Sequence, residues 1–147
     1  MDELRSYVTA IDHVGIAVPD MDEAIAFYRD VLGLELYHEE INEGQGVREA
    51  MMRQPGDTGG AAVQLLAPLS PDTTIGKFLD RKGPGVQQVA YRVSDIDACT
   101  DALRAKGLRV MYEKAMPGTA NSRANFVHPQ DTGGVLIELV EPAPEER

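Results

Sequence analysis

Four polar residues interrupt strand-like apolar runs in this chain. His13 lies in Ile11-Asp12-His13-Val14-Gly15-Ile16-Ala17, and Gln64 in Ala61-Ala62-Val63-Gln64-Leu65-Leu66. Gln88 lies in Val86-Gln87-Gln88-Val89-Ala90, and Glu138 in Val135-Leu136-Ile137-Glu138-Leu139-Val140. Together they offer one imidazole, two amide oxygens and one carboxylate, with a formal ligand charge of −1 and no thiolate. Such a set suits a divalent cation of intermediate hardness, such as Co²⁺, Mn²⁺, Ni²⁺ or Zn²⁺, with positions left open for water or substrate. It fits a closed tetrahedral zinc site poorly.

One such residue alone reads most simply as a hydrogen-bonded core histidine or amide. An internal repeat changes that reading. Residues 11–36, IDHVGIAVPDMDEAIAFYRDVLGLEL, resemble residues 86–110, VQQVAYRVSDIDACTDALRAKGLRV. A shift of 75 carries His13 onto Gln88, Asp20 onto Asp95 and Asp22 onto Asp97; a shift of 74 carries Gly33 onto Gly107 and Gln64 onto Glu138. Duplicated units that pack together bring matching positions toward a pseudo-twofold axis, so the four residues are expected to share a central site. Glu138, set between two apolar faces, needs a metal or a buried cation to offset the cost of a buried carboxylate. Gly15, Ala17 and Ala90 share strand faces with His13 and Gln88, which suits a cavity floor. His38 and His128 fall on no matching inner position and read as structural or exposed.

The elements that must position these residues follow from periodicity. Val8–Val18 alternates as a strand. Asp20 is placed to cap a helix carrying Met21, Ala24, Ile25, Tyr28, Val31 and Leu32, and Gly33 ends it. Strands are expected over Leu34–Tyr37, Val47–Met52 and Ala61–Leu66, with a turn at Asn42–Gly46 and a polar loop at Gln54–Gly60. A short helix around Ile75, Phe78 and Leu79 lies outside the repeat. The second unit begins at Val86, with a helix from about Asp95 to Lys106 and strands at Leu108–Tyr112, Ala124–Val127 and Val135–Val140. The tail, Glu141–Arg147, is charged and takes no functional assignment.

The chain has 147 residues, which suits one domain able to bury a core. The net charge of −10 opposes binding to nucleic acid or anionic membranes. The cluster Lys77, Arg81 and Lys82 reads as a solvated helix end. No run approaches a membrane span, and MDELRSYVTAIDH lacks the basic and apolar segments of a signal peptide. Cys99 is the one cysteine, so a disulfide within the chain is impossible. A reducing, cytoplasmic setting is expected.

Segments IDHVGIAV, NEGQGVREAMM, VQLLAPL, GVQQVAYRVSDID, NSRANFVHP and GVLIELVEP carry a family likeness over about residues 9–142. The chain resembles the vicinal oxygen chelate (glyoxalase/dioxygenase) superfamily and, within it, the methylmalonyl-CoA epimerase family. The resemblance implies an α+β fold: two tandem βαβββ modules, about residues 8–68 and 85–142 of a single domain 1–147, forming one curved mixed sheet around a central metal site. It implies metal ligands His13, Gln64, Gln88 and Glu138, with Co²⁺ favoured. It also implies catalytic acid/base roles for Glu49 and Glu138. The family pattern at the third ligand is His-His, whereas this chain has Gln87-Gln88, a weaker and harder ligand. The implied activity is interconversion of (2S)- and (2R)-methylmalonyl-CoA through an enolate, with methylmalonyl-CoA as substrate and a homodimer as the assembly. The rival readings are a metal-free small-molecule binding protein of the same superfamily and a glyoxalase-I-like isomerase. A shift of 74 places Arg123 opposite Glu49, which makes Arg123 a candidate anion clamp.

Overall fold

A computed structural model describes residues 7–57 and 59–144. Its strands are β1 (Val8–Ala17), β2 (Glu35–Asn42), β3 (Val47–Arg53), β4 (Ala62–Pro68), β5 (Gly85–Val93), β6 (Met116–Pro117), β7 (Arg123–Val127) and β8 (Ile137–Glu141). Its helices are α1 (Met21–Asp30), α2 (Thr74–Lys82) and α3 (Ile96–Ala105). The chain divides into two compact units, residues 13–87 and residues 88 onward with the chain up to Asp12. The α+β class and the two βαβββ modules expected from the repeat are therefore present.

In the unit of residues 13–87 the strand order is β2-β3-β4-β1. Strands β1 and β4 run parallel with Gly15 opposite Gln64, and the other pairs are antiparallel. Side chains alternate across a strand, so one face receives Ile16, Ala50, Met52, Val63, Leu65 and Ala67. Helix α1 covers this face with Met21, Ala24, Ile25 and Tyr28. Met52 and Leu65 are fully buried there. Truncating Leu65 to alanine should cost about 2–5 kcal/mol, because the transfer term and a residual cavity add. The opposite face carries His13, Glu49 and Gln64, and at one end Ala17, Val47 and Leu66 pack under Ile75, Phe78 and Leu79 of α2. Gly76 permits the close approach that seats α2, since a Cβ there would meet the Ser70 and Pro71 carbonyl oxygens at 2.6 Å.

The other unit repeats the scheme as β5-β8-β7-β6, with β5 and β8 parallel and Ala90 opposite Glu138. Helix α3 packs Ile96, Cys99 and Leu103 onto Val93, Val127 and Leu139. Both helices start alike: Asp20 accepts from the Glu23 N–H at 3.0 Å and Asp95 from the Ala98 N–H at 3.1 Å. Both end at glycines in the left-handed region, Gly33 at φ +73° and Gly107 at φ +90°.

Two expectations change. Residues 108–112 form no strand; a single bridge joins Val110 to Val127, and the ladder resumes in β6. The backbone bonds Met111 N–H to the Phe126 carbonyl and His128 N–H to the Arg109 carbonyl flank that bridge, and side chains supplement them. Asn125 Nδ2 donates to the Tyr112 carbonyl at 2.9 Å, and its Oδ1 accepts from the Tyr112 N–H at 3.0 Å. The Arg104 guanidinium donates to the carbonyls of Val110, Tyr112 and Glu113. Glu141, placed above in the charged tail, is instead the buried end of β8 and accepts from the Ile96 N–H at 2.9 Å. Residues 145–147 lie outside the described residues.

Candidate active site

In the first unit, register alone sets the site-bearing face. Gly15 opposes Gln64, Met51 opposes Gln64 from the other side, and Glu49 opposes Leu66. His13 is two residues before Gly15, so His13, Gln64 and Glu49 project from three adjacent strands on the side away from α1. All three are buried, at 3%, 3% and 5% exposure. The face continues onto β2, where Glu40 directly opposes Glu49 and His38 opposes Met51. His38 Nε2 lies 2.6 Å from Glu40 Oε1, at hydrogen-bond distance.

In the second unit, Gln88 and Glu138 lie on the face away from α3, with Ala90 between them in register. The two are buried, and Gln88 Nε2 donates to Glu138 Oε1 at 2.9 Å. That bond places the amide nitrogen of Gln88 on the carboxylate.

The anion-clamp reading of Arg123 does not survive the register. Arg123 opposes Glu141 whereas Phe126 opposes Glu138, so Arg123 and Glu138 point to opposite faces. Arg123 Nη2 donates to Asp97 Oδ1 at 2.9 Å. Arg48 donates in the same way to Asp22 at 3.1 Å, and Asp22 is Asp97 shifted by 75. The structural counterpart of Arg123 is therefore Arg48, and that of Glu49 is Ala124. The carboxylate of Glu49 has no counterpart in the second unit. His128 caps a turn, with Nδ1 accepting from the Gln130 N–H at 3.2 Å, as befits a structural histidine.

The matching family model covers residues 12–126 and describes the glyoxalase/bleomycin resistance protein/dioxygenase superfamily. The chain belongs to that superfamily. Among solved structures, the methylmalonyl-CoA epimerase from Mycobacterium tuberculosis is 60% identical, with a TM-score of 0.90 over 95% of this chain and 92% of that one. A methylmalonyl-CoA epimerase in complex with methylmalonyl-CoA and NH₄⁺ is 45% identical, with a TM-score of 0.88 over 93% and 96%. Among curated relatives, the ethylmalonyl-CoA/methylmalonyl-CoA epimerase of Cereibacter sphaeroides is 34% identical over 131 residues, spanning 88% of this chain and 95% of the relative.

Members of this superfamily generally use a divalent metal. Among the described residues, no three His, Cys, Asp or Glu side chains gather to hold one. Amide oxygens such as those of Gln64 and Gln88 are neutral metal donors as well. The donors present fit that role chemically. His13 and Gln64 share a face in one unit, and Glu138 is paired with an amide whose oxygen is directed away from it in the other.

Sequence reasoning missed Glu40. It ended β2 at Tyr37 because Glu39-Glu40 reads as solvated polar sequence. The alternation through Tyr37-His38-Glu39-Glu40-Ile41-Asn42 was the available signal: the half-buried residues are His38, Glu40 and Asn42, and the exposed ones lie between them.

Proposed function

We propose that this protein is an acyl-CoA epimerase that interconverts the (2S) and (2R) forms of methylmalonyl-CoA in the cytoplasm. The observation that carries the reading is a buried carboxylate, Glu49, on the same sheet face as His13 and Gln64, in a chain so similar to methylmalonyl-CoA epimerases. The two modules act as one domain, and the assembly is a homodimer.

The C2 proton of the substrate lies between a thioester and a carboxylate, so its removal leaves a delocalised enolate. Glu49 takes that proton on one face; the C–H electron pair enters the enolate. Glu138, entering the cycle as the carboxylic acid, delivers its proton to C2 on the opposite face, which inverts the centre. Glu138 is left as the carboxylate and Glu49 as the acid, and exchange with solvent resets both. In the reverse direction the two exchange roles. His13, Gln64, Gln88 and Glu138 would hold the divalent metal, with Co²⁺ the favoured ion. When bound, that ion supplies positive charge for the thioester and carboxylate oxygens as the enolate forms. Gln88 orients Glu138 through the 2.9 Å hydrogen bond. The apolar side chains of Val47, Met51 and Leu66, buried beside Glu49, limit water at the proton-transfer position.

The test is stereochemical. Configurationally pure (2R)-methylmalonyl-CoA incubated with Co²⁺-loaded protein should approach a near-equal mixture of the two C2 epimers, read on the intact CoA thioester with a coupling enzyme that consumes only the (2S) form. Retention of configuration at the spontaneous rate would reject the assignment.

A further inference from the structure

We propose that Met51 sets the size of the C2 branch that this site accepts, confining it to methyl. The inference rests on the epimerase reading, with Glu49 as the base, and adds a specificity residue beside that base.

Register gives Glu49 four neighbours on its sheet face. Glu40 of β2 and Leu66 of β4 oppose it across the two ladders. Val47 and Met51 flank it along β3, since alternate residues of a strand share a face. Two of the apolar neighbours are committed elsewhere: Val47 and Leu66 pack under Ile75, Phe78 and Leu79 of α2. Met51 is also buried, at 5% exposure. Among the described residues, however, it joins neither the cluster under α1 nor the one under α2. It opposes Gln64 across one ladder and His38 across the other. A long apolar side chain therefore stands beside the base, set among Glu49, Gln64 and His38, rather than in a core.

The substrate gives such a residue a task. C2 of methylmalonyl-CoA carries a proton, a thioester, a carboxylate and a methyl group. The proton goes to Glu49. The thioester and carboxylate branches carry oxygens, which suit the polar end of the face at His13 and Gln64. The alkyl branch has no polar atom and needs an apolar neighbour. That neighbour must lie close to Glu49, because C2 itself must come within proton-transfer reach of the carboxylate. Met51 meets both conditions without being committed to α2. Methionine is unbranched and adaptable, so it follows the outline of a small group, and its length fills the space a longer branch would take. One methylene more or less in an apolar pocket changes kcat/KM by about 10–200-fold.

The experiment compares kcat/KM for methylmalonyl-CoA and ethylmalonyl-CoA, read as C2 proton exchange in D₂O by NMR. The proteins are Co²⁺-loaded wild type, Met51→Ala and Met51→Leu. Both thioesters carry the same CoA group, so the ratio isolates the branch. Wild type should favour the methyl substrate by at least about tenfold. Met51→Ala should cut that ratio by about tenfold, and Met51→Leu, which conserves volume, should keep it within about threefold. A merely structural role lowers both rates by one factor and leaves the ratio alone. An unchanged ratio in Met51→Ala, or a wild type without preference, would overturn this inference while the epimerase reading stands. Met51→Val repeats the test should Met51→Ala fail to fold. Exchange of neither thioester above the spontaneous rate, with Co²⁺ verified on the wild type, would overturn the epimerase reading and this inference with it.

Discussion

At the scale of single residues, the account depends on groups with different jobs. Replacing Glu49 by glutamine should lower kcat by about 10²–10⁴-fold, the usual contribution of a positioned base, with bound Co²⁺ unchanged by metal analysis. Replacing Gln88 by alanine removes both an amide oxygen and the hydrogen bond that orients Glu138. It should weaken Co²⁺ binding by about 10–100-fold in a calorimetric titration, the range seen when an orienting partner of a ligand is lost. The four candidate ligands, His13, Gln64, Gln88 and Glu138, stand out in the sequence because polar residues recur at repeat-related positions of apolar strands, and all four are buried. Glu49 does not stand out in this way. In Val47-Arg48-Glu49-Ala50 it alternates as an exposed strand residue would, and only the family likeness singled it out. Its burial, at 5% exposure, comes from the strands flanking it and from α2 over the end of the face.

At the scale of elements, the repeat carried most of the fold. The two Asp-capped, Gly-terminated helices were readable from local chemistry, which each copy states independently. The stretch after Gly107 was not, because its apolar residues Leu108, Val110 and Met111 suit a strand, while its backbone groups bond to the side chains of Asn125 and Arg104. Asn125 is 1% exposed, so Asn125→Ala removes the acceptor of the half-buried Tyr112 N–H, while the Tyr112 carbonyl keeps its Arg104 donor. That should cost about 1–3 kcal/mol by urea unfolding. Arg123 offers the contrasting case. Its pair with Asp97 is at the surface, so Arg123→Ala should change stability by less than about 1 kcal/mol and leave KM for methylmalonyl-CoA unchanged. A raised KM would reinstate it as an anion clamp.

At the scale of the whole molecule, the net charge is −10, and among the described residues no helix is long and apolar enough to cross a membrane. Acid stability has an identifiable anchor. The Arg109 guanidinium and backbone N–H hold Asp131 at about 2, below its ordinary 3.8. Because the folded value is depressed, this contribution is complete above 3.8 and disappears as pH falls from 3.8 toward 2. Asp131→Asn should therefore flatten the loss of urea stability across that window, and an unchanged slope would remove the pair from acid unfolding. The central claim is proton transfer at C2, and isotope exchange reads it most directly. Methylmalonyl-CoA in D₂O, followed by NMR with Co²⁺ and then with excess chelator, should lose its C2 proton signal rapidly in the first case and at the spontaneous rate in the second. Exchange no faster than the spontaneous rate, with Co²⁺ verified on the protein, would contradict the account.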